Sequence, residues 1–248
     1  MEYHCMKGIV LAGGLGSRLR PLTKITNKHL LPIYNKPMVY YPIEMLVEAG
    51  ITEILLVTGG NSAGDFFRLI RNGEDFGLSR MNYAYQQGEG GIADALRLAR
   101  DFVGDDRMVV VLGDNILQHG IKQGLSAFMQ QPGGARIFLK EVDHPQEYGI
   151  AEIEDGRISR IIEKPKEPPT NLAVIGVYMY SADVFEIIEV LKPSGRNELE
   201  ITDVNNAYLE RGELMHDIVD GWWLDAGEDH AGLLRANLIV AKHYGVEV

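Results

Sequence analysis

At 248 residues the chain has room for one large α/β domain or two small ones, either with a substantial core. Its 46% hydrophobic and 24% charged residues are those of an ordinary soluble globular protein, and a formal net charge of -11 argues against coating nucleic acid or anionic membrane by bulk electrostatics. No apolar run approaches the ~18 residues a membrane-spanning helix needs, and the single cysteine, Cys5, excludes an internal disulfide framework, so the cytoplasm is the expected compartment.

The first element in chain order is the apolar run Gly8-Ile9-Val10-Leu11-Ala12, ended by glycines. From Met38 to Ala49, closed by Gly50, the apolar spacing is helical. Ile54 to Thr58 and Met108 to Leu112 are again continuous and apolar, as strands covered on both faces must be. Between them, Ile92 to Phe102 predicts one amphipathic helix with Ile92, Leu96, Ala99 and Val103 on a single face, and Ile121 to Met129 predicts another. This half is expected to form an open, doubly wound, mostly parallel α/β sheet. The second half changes character. Tyr148 to Ile153 and Arg157 to Ile162, joined through Asp155-Gly156, predict a β-hairpin. Ala173 to Tyr180 gives a strand, Ala182 to Leu191 a helix, and Ile201 to Leu209 a helix with Thr202 as its N-cap. Glu228 to Tyr244 is a final amphipathic helix. With no repeat or flexible linker, 1–248 is expected to be a single unit.

The turn Gly13-Gly14-Leu15-Gly16-Ser17-Arg18 follows the first strand. A dinucleotide fold would need a third glycine where Leu19 stands and an acid about 20 residues on, and Tyr34 to Met38 has none. A P-loop would need a terminal Gly-Lys-Ser/Thr, which is absent. A loop whose backbone N–H groups cradle phosphate remains, beside a tight turn that holds nothing. Arg18 and Lys28 flank it in an acidic chain, where phosphate oxygens would use them well, although either alone could be a solvated surface charge. Asp114 ends a buried strand, where open α/β sheets place ligands, and Asp225 precedes the last helix. Paired carboxylates suit Mg²⁺, which otherwise keeps water and phosphate as ligands; singly, each Asp could equally cap a helix or form a turn. Trp222-Trp223 is expected to be core aromatic packing beside a turn rather than a stacking surface for sugar, and Tyr40-Tyr41 to pack rather than react.

The run Leu11 to Leu19, with Pro21, Thr23, Lys28 and Leu31-Pro32, resembles the signature of the sugar-phosphate nucleotidyltransferases. Lys36 to Tyr41, Leu112-Gly113-Asp114-Asn115, Tyr148-Gly149, Glu163-Lys164-Pro165, Glu198 to Asn205 and Trp223 to Gly227 resemble the glucose-1-phosphate thymidylyltransferases among them. The resemblance runs in order from Met6 to about Tyr244. It implies a Rossmann-like nucleotidyltransferase fold with a sugar-binding hairpin, in which 6–130 mainly binds nucleotide, 131–227 mainly binds sugar phosphate and 228–248 is the closing helix. Leu11, Gly13, Gly14, Gly16, Ser17, Arg18 and Lys28 would hold the nucleotide, with Gln86 and Gly91 on the base edge. Asp114 and Asp225 would bind Mg²⁺. Asn115, Gly149, Glu163, Lys164, Val174, Tyr178, Arg196 and Glu198 would line the sugar-phosphate site, and Arg18, Lys164, Asp114 and Asp225 would carry catalysis.

The implied reaction is thymidylyl transfer from dTTP to glucose 1-phosphate in a homo-oligomer, dimer or tetramer, with no nucleic-acid or membrane partner. UTP, a different sugar 1-phosphate, or a nucleotide-sugar sensor without turnover are the other readings. The chain departs from the family pattern in the stretch Gln86 to Asp94 around the base site, at Ile162 in place of an acid, and at Ile175 in place of a threonine near the sugar. It starts ahead of the usual first residue and stops before the longer C-terminal helical segment of many members, so the resemblance does not decide whether there is feedback control.

Overall fold

The computed structural model describes residues 6–247; Cys5, the segment before Met6, and Val248 lie outside the described residues. Met6–Ala12 forms β1. A short ribbon, Pro32–Ile33 (β2) with Lys36–Pro37 (β3), leads into Tyr40–Glu48 (α1). Glu53–Gly59 (β4), Ala63–Ile70 (α2) and Arg80–Gln86 (β5) follow. Next come Ile92–Arg97 (α3), Arg100–Val103 (α4), Arg107–Leu112 (β6), Asn115–Leu117 (β7) and Lys122–Gln130 (α5). The second half contributes Ala135–Glu141 (β8), Gly149–Glu154 (β9), Arg157–Glu163 (β10), Leu172–Tyr180 (β11) and Val184–Val190 (α6). Ile201–Glu210 (α7), Leu214–Ile218 (β12), Trp223–Asp225 (β13) and His230–His243 (α8) complete it.

A nine-stranded sheet carries the molecule, in the order β10-β9-β11-β6-β1-β4-β5, with β8 on β11 and β12 outside β8. β4 and β6 flank β1 in parallel and β5 continues the pattern; β11, β9, β10 and β8 are added antiparallel, and β12 lies parallel on β8. The parallel side needs helical crossovers that cover both faces, which explains why β1 is apolar from Ile9 to Ala12. Ile9 and Leu11 enter one apolar cluster with α3, α6 and α7, while Val10 and Ala12 enter another with α1, α2 and α5. A third cluster packs α8 against β2, β7 and β13. Among the described residues no helix is long and apolar enough to cross a membrane.

The hairpin forms as expected: Asp155 and Gly156 take φ of 50° and 75°, the left-handed pair that closes a two-residue turn with the twist of its strands. Two local expectations are corrected. The single helix over Ile92 to Phe102 is broken, because the Leu98 and Ala99 N–H groups bond three residues back, to Ala95 and Leu96, and tighten the turn between α3 and α4. Thr202 does not cap α7. The helix begins at Ile201 after Glu200, and the Thr202 hydroxyl instead donates to Glu163 Oε2 at 2.5 Å.

Candidate active site

The glycine loop leaves the carboxyl end of β1 and is braced from below. Asn27 is buried, and its Nδ2 donates to the carbonyls of Ala12 at 3.2 Å and Gly14 at 3.4 Å, while its Oδ1 accepts the His29 N–H at 2.9 Å. Gly16 turns the chain with φ of 62°, and a Cβ there would come within 3.0 Å of both Thr23 and Lys28. The loop is therefore held at a fixed height over the sheet with its own N–H groups uncommitted to a long helix.

Lys28 is carried back to the floor of the site. Its Nζ donates to Asp114 Oδ2 at 2.5 Å. Burial alone would lower the Lys28 pKa, but the charges of Asp114 and Asp225 outweigh it and hold the ammonium form. Asp114 is likewise kept ionised: burial opposes the charge, and Lys28 wins. His29 is driven down to about 3 by burial and by the adjacent Lys28, so it is a neutral packing group. Its ring leaves no room for a side chain at Gly113, where a Cβ would lie 2.7 Å from His29 Cδ2.

Sequence spacing could not show that the two aspartates meet; the short β7·β13 ladder does it. Asp225 pairs with Asn115, and the Ala226 N–H donates to the Asp114 carbonyl at 2.9 Å. Gly227 completes the corner, since a Cβ there would be 2.5 Å from Asp114 Oδ2. Burial and the neighbouring Asp114 push Asp225 up to about 7. Two carboxylates forced together in this way are what a divalent cation relieves, and hard oxygen ligands are what Mg²⁺ takes. Among the described residues no three His, Cys, Asp or Glu side chains gather at one point. The residues thus fit an ion that fills the rest of its shell with water and phosphate oxygens.

Two cavities open on this corner. One, of about 450 Å³, is lined by Leu11, Gly13, Gly14, Ser17, Arg18, Lys28, Gln86, Gly91 and Asp114 among others. Gly16 lies outside its wall and serves the turn. The other, of about 180 Å³, is lined by every residue expected for the sugar phosphate: Asn115, Gly149, Glu163, Lys164, Val174, Tyr178, Arg196 and Glu198, together with Asp225. Arg18 and Glu198 belong to both walls, so the cavities adjoin. The Arg18 guanidinium is exposed, 4.0 Å from Glu147 Oε2. Arg196 is shared among Glu163 at 2.9 Å, Glu200 at 2.7 Å and Glu198 at 3.7 Å.

Residues 7–243 match the Nucleotidyl transferase family. The chain belongs to that family. It is 46% identical over 239 residues to the low-salt glycan biosynthesis nucleotidyltransferase Agl11 of Haloferax volcanii, covering 96% of this chain and 66% of that protein. It is 44% identical over 226 residues to the glucose-1-phosphate thymidylyltransferase of Neisseria meningitidis, covering 90% and 78% respectively. Among solved structures, a Bacillus anthracis chain assigned as a glucose-1-phosphate thymidylyltransferase, in complex with a sucrose, superposes with a TM-score of 0.90 at 50% identity, covering 94% of each chain. A UDP-glucose pyrophosphorylase complexed with UDP-glucose superposes with a TM-score of 0.83 at 27% identity, covering 96% of this chain and 99% of that one.

In this nucleotidyltransferase some of the sequence departures prove remote from the sugar cavity. Ile175 is fully buried in the apolar cluster on the opposite face of β11, and Ile162 faces an outer groove with Asn206 and Leu209. Neither residue lines the smaller cavity. Trp223 packs against the core as expected, but it is only partly buried, also lines the smaller cavity, and its Nε1 donates to Asn115 Oδ1 at 2.7 Å. The same oxygen accepts the Gly176 N–H at 2.9 Å, and Asn115 Nδ2 turns to Asp114 Oδ1 at 3.1 Å. Sequence reasoning missed Asn27, His29 and Gly227. Only Asn27 carried a local signal, as an Asx side chain ahead of a short turn.

Proposed function

We propose that this chain transfers thymidylyl from dTTP to α-D-glucose 1-phosphate, forming dTDP-glucose and pyrophosphate. The observation that carries the reading is the pair of adjoining cavities that share Arg18, with Asp114 on the wall of one and Asp225 on the wall of the other. The 44% identity to glucose-1-phosphate thymidylyltransferases over 90% of the chain supports the substrate pair.

In this reading the glycine loop and Lys28 grip the triphosphate, and Gln86 and Gly91 meet the base edge. Lys164 holds the sugar phosphate, with Gly149, Val174, Tyr178 and the Arg196 cluster shaping the space around it. A phosphate oxygen of the sugar attacks the α-phosphorus as the bond to the bridging oxygen of pyrophosphate breaks. That oxygen is already anionic, so no residue need remove a proton, and catalysis is positioning and charge neutralisation. Arg18 stabilises the charge that moves onto pyrophosphate. Mg²⁺ on Asp114 and Asp225 supplies neutralisation of the nucleotide phosphate when bound.

UTP is a second reading with support of its own, because uracil and thymine share the edge that Gln86 and Gly91 meet and the fold superposes on a UDP-glucose pyrophosphorylase. Pyrophosphate release with dTTP, UTP, CTP and GTP against glucose 1-phosphate, with and without chelator, separates them. The largest kcat/KM with dTTP, abolished by chelation, is expected; UTP leading the panel would reassign the nucleotide, and no release with any would leave a binding protein.

A further inference from the structure

We infer that Asp94 selects the nucleobase by fixing the orientation of the Gln86 side-chain amide, an inference that rests on the assignment of the glycine-loop cavity to a nucleotide. Gln86 ends β5 and is 7% exposed. Its Nε2 donates to the Gly91 carbonyl at 3.2 Å and to Asp94 Oδ2 at 2.9 Å. Both partners can only accept, so the amide nitrogen must face them and the oxygen must face away. That oxygen stands over the glycine loop, where a Cβ on Gly13 would come within 2.9 Å of it. The cavity is therefore offered an acceptor at this point and not a donor.

The consequence is chemical. Thymine and uracil carry an imino N–H between two carbonyls, which an amide oxygen accepts. Cytosine places an unprotonated nitrogen at that position, and two acceptors then face each other. A buried hydrogen-bonding group discriminates strongly against a ligand that leaves it unpaired.

Asp94 itself is locked from outside. Arg97 lies three residues on along α3, and its Nη2 donates to Asp94 Oδ1 at 2.7 Å, so both carboxylate oxygens are engaged. Gly90 makes room for the carboxylate, since a Cβ there would lie 2.5 Å from Asp94 Oδ2. Asp94 does not line the cavity. It is a positioning residue, and without it the amide is held by one longer, neutral hydrogen bond to Gly91.

The test uses the full chain and Asp94→Leu, Asp94→Asn and Asp94→Ala. Two readouts are taken: kcat/KM for pyrophosphate release with dTTP, UTP and dCTP against glucose 1-phosphate, and the melting-temperature rise that each nucleotide gives alone. The parent protein should prefer dTTP and UTP to dCTP. Asp94→Leu should shrink the dTTP-to-dCTP ratio about tenfold or more. Asp94→Asn, whose side-chain oxygen can still accept from Gln86, should keep the ratio within about threefold. A parental ratio in Asp94→Leu overturns the inference, as does an Asp94→Asn that loses selectivity as fully as Asp94→Leu, which would mark a packing effect. If Asp94→Leu does not fold, Asp94→Ala carries the test, and a parental ratio there is equally fatal. Should the parent release no pyrophosphate, the assigned activity fails while the melting shifts still decide the point: a preference for dTTP over dCTP that Asp94→Leu removes supports it, and equal or absent shifts in the parent overturn it.

Discussion

On the glycine-loop side of the site the charged floor is buried, with Lys28 on Asp114 and the neutral His29 packed beside them, and a Cβ on Gly13 or Gly16 would come within 3.0 Å of a neighbour, while Arg18 stands exposed at the rim. Across the shared wall the charges are half in water. Arg196 is divided among three glutamates with 39% of its side chain exposed, and Lys164 projects from a loop at φ of 41°. A preformed, dry corner suits a triphosphate whose charge must be met without rearrangement, and a wet, multiply shared cluster suits a sugar whose hydroxyls exchange one hydrogen bond for another. The contrast predicts that damage on the nucleotide side spreads into the fold, while damage on the sugar side stays in the kinetics.

Asp114→Asn should break most. It removes one of the two carboxylates proposed to hold the cation and leaves Lys28 with only Asp225 as a counter-charge, so we expect turnover to fall about a hundredfold or more and stability to urea to drop on the order of 3 kcal/mol. A variant that loses activity with parental stability would refute the buried-pair half of the comparison. Arg18→Ala should come next, with kcat down about a hundredfold. The Arg18 side chain is 60% exposed and its guanidinium is 4.0 Å from Glu147, so the melting temperature should hardly move. Near-parental turnover would remove Arg18 from the mechanism. Lys164→Ala tests the sugar side: kcat/KM for glucose 1-phosphate should fall about tenfold, chiefly through KM, with KM for dTTP and stability both unchanged. Equal losses toward both substrates would mean that Lys164 serves the shared wall and not the sugar cavity.

How much of this was legible in the chain follows from the same contrast. β1, β4 and β6 announce themselves because the middle of a strand covered on both faces must be apolar, and the glycine loop because its run of small residues follows such a strand. β5 and β8 did not. β5 is a half-exposed edge with Arg80 and Asn82 among its apolar residues, and β8 buries Arg136 against Asp217, a partner 81 positions away that no local pattern contains. The aspartate pair was foreseen by residue type and by resemblance, but its meeting depends on a three-residue ladder, β7 with β13, too short to leave a periodic signal. Asp94 was hidden for a different reason: it faces an amide and not the cavity, and its effect on a ligand is one residue removed.

The smallest effect expected lies where the two sides join. Trp223 Nε1 and the Gly176 N–H both donate to Asn115 Oδ1, and Asn115 Nδ2 in turn supports Asp114. Gly176 can reach inward because β11 slips register against β8 between Val174 and Tyr178, and a Cβ there would meet Asn115 Nδ2 at 2.6 Å. Trp223→Phe removes one of the two donors and keeps most of the ring that packs edge-on to Tyr148, so the amide stays paired through Gly176. We expect a loss of about 1 kcal/mol in stability, and a fall in turnover far smaller than that of Asp114→Asn. A Trp223→Phe variant as inactive as Asp114→Asn would mean that the indole, and not the backbone of β11, holds Asn115 against the aspartate corner, and the division into a rigid nucleotide side and an adaptable sugar side would then run on the wrong line.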